Sequence, residues 1–400
     1  MMLVEVVGRN DSAVVARRHA ATAMIRHSLY AQKIHPIDGL MGYTGRRRIL
    51  RDVTGSGGGG DMKLSVRVAA LAAASTLALT AGNFVAHAQS LRMTLGTMAV
   101  PYTPVETASN RFAEIVSEMS GGDISIVVND SLLRGAQLAP AVRDGRIEIV
   151  MGVPTYLSGS EPRMGLQNLP GLVQSDADYR KILDAFWEDE MSAIWGEQFK
   201  AMPLATGMWE PNLLFSTRPI HSLADFQGAK IRVHNVETAQ FIAALGASST
   251  ALDVAEVQAG LERGIIDGFI TSLCYSYQQG MHRVTKYLQN YKLAPIQGWS
   301  ILIGKDVWDG LTPERQEIFR AAGDQVEEEL YAAHAQMVET CLQQFKEAGA
   351  DYFEADADLR AEIFSEANTQ DVYAEWYRRA EEKGFAGEDF VARARAAVDE

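Results

Sequence analysis

One strand in this chain carries an arginine that needs an anion. The segment Lys230-Ile231-Arg232-Val233-His234 reads as a short β-strand. Side chains alternate faces along a strand, so Ile231 and Val233 share one face and Arg232 and His234 the other. A guanidinium among apolar neighbours requires a partner, because an unpaired buried charge is costly. Two partners suit it: an internal Asp or Glu, or the carboxylate of a bound molecule received by the planar fork of the arginine. The residues alone leave that choice open. His234 reads as a strand-end hydrogen-bonding group rather than a metal ligand.

Other reactive side chains are sparse. Of eight histidines, only His221, His234, His282 and His334 follow residue 88, without triad or metal-site spacing. H-E-x-x-H, C-x-x-C, G-x-S-x-G and Walker patterns are missing, which argues against an enzyme and against a metal or other cofactor. Two cysteines exclude a disulfide scaffold. Cys274 follows a strand and Cys341 falls mid-helix; they read as two separate buried thiols, with a pairing between them in an oxidising compartment as the alternative. A net charge of −14 argues against a nucleic-acid partner.

The charge is unevenly spread. Residues 1–88 hold 11 basic and 5 acidic residues, a net of +6, which leaves 26 and 46, a net of −20, for 89–400. Met62 opens a secretory signal pattern: Lys63 and Arg67, an uncharged Ala/Leu/Thr/Val run to about Val85, then Ala86-His87-Ala88 before Gln89. The run is too short and too rich in Ala and Thr for a stable membrane span. Residues 62–88 are therefore expected to be a signal peptide cleaved near Ala88, for a periplasmic protein. Residues 1–61, with the glycines of 55–60, read as a disordered stretch from a misassigned start site. The alternatives are a basic N-terminal arm at Arg46-Arg47-Arg48 or a flexible linker.

The elements that must position Arg232 follow an alternating order. Leu91–Gly96 reads as a strand. A helix follows from about Val105, with Phe112, Ile115, Val116 and Met119 on one face. Ile124–Val128 and Ile147–Met151 read as strands, giving βαβαβ and a mainly parallel sheet. A helix at about 177–199 precedes strands at 203–208 and 212–216. After Arg232, a helix runs to Leu245, and Asp253-x-x-Glu256 reads as a capping box. Ile265–Thr271 reads as a buried strand with a turn, and Tyr287–Leu293 and Ser300–Gly304 as connecting strands. Thr312-Pro313-Glu314 starts a helix with no breaker before Gly349, about 35 residues and roughly 50 Å at 1.5 Å per residue. That is too long for one small domain.

The ordered motifs resemble a known family. Ser216-Thr217-Arg218-Pro219-Ile220, then Leu223-Ala224-Asp225-Phe226-Gln227-Gly228-Ala229-Lys230-Ile231-Arg232-Val233, is similar to the core of the DctP family of TRAP-transporter solute-binding proteins. Leu245-Gly246-Ala247, Gly264-Ile265-Ile266-Asp267-Gly268 and Trp308-Asp309-Gly310-Leu311-Thr312-Pro313 continue the match, which spans 90–350. The resemblance implies a two-lobed α/β periplasmic binding protein of the Venus-flytrap type, with mainly parallel sheets flanked by helices and a long helix bridging both lobes. Lobe I is expected over 89–210 plus about 297–336. Lobe II is expected over 211–296 plus about 337–400, with the C-terminal helices.

The resemblance further implies a small organic acid in the interlobe cleft, with its carboxylate on Arg232, for delivery to the small and large membrane subunits of a TRAP permease. Asn212 stands where relatives often carry a second arginine, Thr271 where some carry Asn, and Tyr156 at a position charged in some sugar-acid binders. Those departures make sialic acid doubtful and favour a small carboxylate with an apolar, aromatic or hydroxylated body. Trp209 and Trp299 are expected near the lobe crossings, and Met98 at the lobe I cleft edge. The same lobes docking on a sensor kinase or chemoreceptor is the alternative reading. Service to an ABC permease fits the motif order less well.

Overall fold

The computed structural model describes residues 90–252, 256–293 and 296–399. The expected signal peptide, the segment 1–61 and the first residues of the capping box at Asp253 lie outside them. Among the described residues, no helix is long and apolar enough to cross a membrane.

The chain opens with β1 (Leu91–Gly96), α1 (Pro104–Met119), β2 (Ile124–Asn129), α2 (Gly135–Arg143) and β3 (Ile149–Gly152). Thr103 caps α1 by accepting the N–H of Glu106, with Pro104 at the first helical position. Phe112, Ile115 and Val116 are buried as their spacing requires. Met119 is not: it is 42% exposed, at the last residue of α1. Then come α3 (Asp176–Ile182), a π-turn at Leu183–Trp187, α4 (Glu188–Phe199) and β4 (Ala201–Met208).

The second half holds β5 (Asn212–Ser216), β6 (Lys230–Val233), α5 (Val236–Ala244), β7 (Ser248–Ala251), α6 (Val257–Glu262), β8 (Gly268–Ser272), α7 (Leu273–Gln278) and β9 (Tyr287–Asn290). The buried strand begins at Gly268, not Ile265; Ile265 is 47% exposed, in the turn that follows Gly264 at φ +66. The chain returns through β10 (Gly298–Gly304) and α8 (Lys305–Asp309) to α9 (Pro313–Glu347), the 35-residue helix. It ends with β11 (Asp351–Glu354), α10 (Ala357–Ile363), α11 (Glu366–Glu382) and α12 (Gly387–Asp399).

These strands form two sheets, ordered β2-β1-β3-β10-β4 and β11-β9-β5-β8-β6-β7. Crossover helices make β1, β2 and β3 parallel, and likewise β6, β7 and β8. The strands that arrive from the other sheet run antiparallel: β10 against β3 and β4, and β5 against β8 and β9. Each sheet is the centre of one lobe.

The motif that carries the resemblance is mostly scaffold. Asp225 accepts the N–H groups of His221 and Ser222 and the Ser222 hydroxyl. That fixes the turn which delivers Ile220, Phe226, Ala229 and Ile231 into the lobe II core.

Helix α9 belongs to both lobes. Phe319, Ala322 and Val326 enter the core of lobe I, whereas Cys341 and Phe345 pack with Phe215, Phe269 and Leu288 of lobe II. Cys274 and Cys341 are not separate thiols. They are joined in a disulfide across 67 residues, because α7 lies against α9 with the two Cα atoms 5.2 Å apart. The C-terminal helices are shared as well. Val372 and Phe364 pack on lobe II, but Tyr373, Trp376, Phe390 and Val391 enter the core of lobe I. Tyr373 donates to Pro170 O and Trp376 to Pro162 O, which fastens α11 there.

Candidate functional site

Where the chain passes between the sheets, ten residues enclose a small cavity: Val100 and Tyr156 of lobe I; Asn212, Arg232, His234, Thr271, Ser272 and Tyr275 of lobe II; and Trp209 and Gln297 at the crossings. The enclosed space is about 30 Å³. A water needs roughly 10–15 Å³ by that measure, so the room equals about two waters.

The position of each side chain follows from its strand. Arg232 pairs with Thr250 of β7 and Phe269 of β8, at the centre of lobe II. It is 6% exposed; its Nε donates to Leu252 O at 3.1 Å and its Nη1 to Ile270 O at 3.5 Å. Those bonds aim the guanidinium along the strand ends. Asn212 starts β5 directly opposite Ser272 at the end of β8, so adjacent strands present neutral donors and acceptors beside it.

His234 follows β6 and shares the arginine's face, as alternation requires. Its Nε2 meets Gln297 Nε2, and Tyr156 approaches its ring edge-on with centroids 6.3 Å apart. This imidazole therefore touches both lobe I and the crossing segment. Burial, with Arg232 adding repulsion, lowers its pKa to about 3, so it is neutral at ordinary pH. Trp209 is held by its N–H on Gln297 O at 2.8 Å, and its indole Nε1 has no hydrogen-bond partner among the described residues. Glu210 beside it is fully buried. Its Oε1 accepts the N–H of Tyr275 at 3.1 Å, and burial raises the carboxyl pKa.

Five of the seven residues expected at a site meet in this cavity: Arg232, Asn212, Trp209, Thr271 and Tyr156. Met98 and Trp299 do not line it. Met98 is packed in the lobe I core against Gly135, and Trp299 lies flat over Gly207 with its Nε1 on Met208 O. Val100, His234, Ser272, Tyr275 and Gln297 complete the wall. Ser272 and Tyr275 were findable, since one follows Thr271 and the other stands a helical turn later. Gln297 and Val100 sit on irregular segments that periodicity does not place.

A second hollow of about 240 Å³ lies elsewhere, under α9 where it leaves lobe I. It is walled by Pro104, Thr107 and Arg111 of α1, Met208, and Glu327 to Met337 of α9. None of the expected site residues faces it.

Two α/β lobes, crossed repeatedly by one chain and closing on a cavity with a buried arginine, define a solute-binding protein. Residues 95–380 match the family model of the bacterial extracellular solute-binding proteins, family 7, or DctP, and the chain belongs to that family. The 2,3-diketo-L-gulonate-binding periplasmic protein YiaO of Escherichia coli K12 is 28% identical over 307 residues, 75% of this chain and 88% of the relative. The C4-dicarboxylate-binding protein DctB of Bacillus subtilis is 25% identical over 268 residues, 62% of this chain and 71% of the relative. Among solved structures, a TRAP periplasmic solute binding protein from Haemophilus influenzae with bound L-gulonate superposes with a TM-score of 0.68, at 19% identity, over 77% of this chain and 99% of that one. DctP7 of Bordetella pertussis, binding pyroglutamic acid, gives a TM-score of 0.69 at 18% identity, over 77% and 99%.

Proposed function

We propose that the cavity at Arg232 captures a small monocarboxylate with a hydroxylated body, and that the closed protein hands it to the membrane subunits of a TRAP permease from the periplasm. The supporting observation is the composition of the wall. It contains one guanidinium, surrounded by the neutral hydrogen-bonding side chains of Tyr156, Asn212, His234, Thr271, Ser272, Tyr275 and Gln297. One fixed cation suits one carboxylate, and neutral donors and acceptors suit hydroxyl or carbonyl groups. Among the described residues, a second carboxylate would find no second cation in the wall. Trp209 supplies an apolar face and a free indole N–H. The 2,3-diketo-L-gulonate, L-gulonate and pyroglutamic acid of three of the proteins named above agree with the reading, and the C4-dicarboxylate of DctB does not.

The test is a thermal-shift screen of residues 89–400 against monocarboxylates and dicarboxylates, since a ligand that binds only the native state raises its stability. Sugar acids and small hydroxy acids should score, and Arg232→Ala should weaken each hit by about 2–5 kcal/mol, roughly 30- to 4000-fold. Hits that Arg232→Ala leaves unchanged would end this reading.

A further inference from the structure

A buried ion pair stands beside the cavity and touches none of it. Glu237, in the first turn of α5, is fully buried. Its Oε1 receives Arg379 Nη1 of α11 at 3.0 Å, and its Oε2 accepts the Ser158 hydroxyl at 2.9 Å. Arg379 also donates through Nη2 to the backbone carbonyl of Ser158, so the three residues form a ring that closes through the Ser158 main chain. Lobe I crowds in behind them: a Cβ on Gly165 would sit 2.5 Å from the Glu237 carboxylate.

The ring joins the two lobes. Glu237 moves with lobe II, because α5 grows directly from the strand of Arg232. Ser158 and Gly165 belong to lobe I. Arg379 stands one turn beyond Trp376, which is bonded to Pro162 O of lobe I. The ring also shares its segments with the cavity. Tyr156 and Ser158 lie in one short stretch, and His234 and Glu237 in another. A motion that separates Tyr156 from His234 must also separate Ser158 from Glu237.

We propose that Glu237, Arg379 and Ser158 are an interlobe latch, positioning residues that form on closure and set the lifetime of the closed form. The proposal rests on the reading that the lobes part to admit a ligand. A charge pair that is buried when closed and hydrated when open is a two-state contact: removing one partner leaves a buried charge and disfavours closure.

Its test uses the ligand-free protein, so it does not depend on the identity of the solute. Spin labels on unnatural amino acids at Met119 and Ile265, both exposed and in different lobes, report the interlobe distance by pulsed EPR. The wild type should show a short-distance population matching this structure. Glu237→Gln and Arg379→Gln should each reduce that population about tenfold or more, and the double variant no further, because the two act as one unit. Ser158→Ala, the mildest change, should give a smaller reduction and guards against variants that fail to fold. A wild type lacking the short distance, or folded variants that leave it unchanged, overturns the latch. If the populations shift but no carboxylate binds, the latch holds and the ligand assignment fails.

Discussion

The ring of Trp299 occupies the space that any side chain on Gly207 would need. The two residues are paired across β4 and β10, and a Cβ added at 207 would lie 2.2 Å from the indole. Tryptophan at this lobe crossing is thus a packing element that depends on a glycine opposite. Gly207→Ala should destabilise the protein by about 1–3 kcal/mol through overpacking, and Gly207→Ala with Trp299→Leu should regain part of it. Urea denaturation followed by circular dichroism measures both.

The disulfide between Cys274 and Cys341 closes a 67-residue loop that contains β9, β10 and most of α9. Reducing it, or making Cys274→Ser, should cost about 4 kcal/mol by the chain-entropy argument. Melting curves with and without a phosphine reductant check the cost, and intact mass after alkylation checks the bond.

Glu327 gives the stability a definite slope with pH. Its carboxylate accepts the backbone N–H and the hydroxyl of Thr206. Burial, followed by repulsion from Glu188 and Asp324, nonetheless raises its pKa from 4.5 to about 7. Between those values the native state holds a proton that the unfolded state has released, so stability falls as pH rises from about 4.5 to 7. Glu327→Gln should remove that slope and stabilise the protein at pH 8 by roughly 2–3 kcal/mol.

His234 contributes the opposite slope. Its native pKa is lowered from 6.5 to about 3, so the unfolded state gains a proton first as pH falls. Stability contributed by the neutral ring is complete above about 6.5 and is lost progressively towards 3. His234→Gln should flatten acid unfolding in that window by roughly 2–4 kcal/mol. Chemical denaturation at pH 4, 5 and 7 resolves it; an unchanged acid limb would show the imidazole already protonated in the folded protein.

The elements that were legible in the sequence share a cause. Helix α9 runs over Pro313–Glu347 as its cap, proline and glycine dictate, because those signals are local. Strand alternation placed Arg232 and His234 on one wall for the same reason. The cysteine pair was missed because nothing in the sequence shows that α7 lies on α9, a contact 67 residues apart. Met98 and Trp299 were placed at the cleft by proximity to strand ends and crossings, but side-chain direction there depends on Gly135 and Gly207 opposite them. The role of α11 was invisible too: its apolar face serves both lobes, and periodicity does not distinguish one core from another.

The chain passes between the sheets four times: at Trp209–Pro211, between β9 and β10, along α9, and where α11 leaves Val372 for Trp376. Two bodies tethered once can tumble freely, whereas a fourfold tether, one strand of it a rigid rod, leaves little beyond a single rotation. On the function proposed above, such a molecule would offer the membrane subunits two outlines with almost nothing between them.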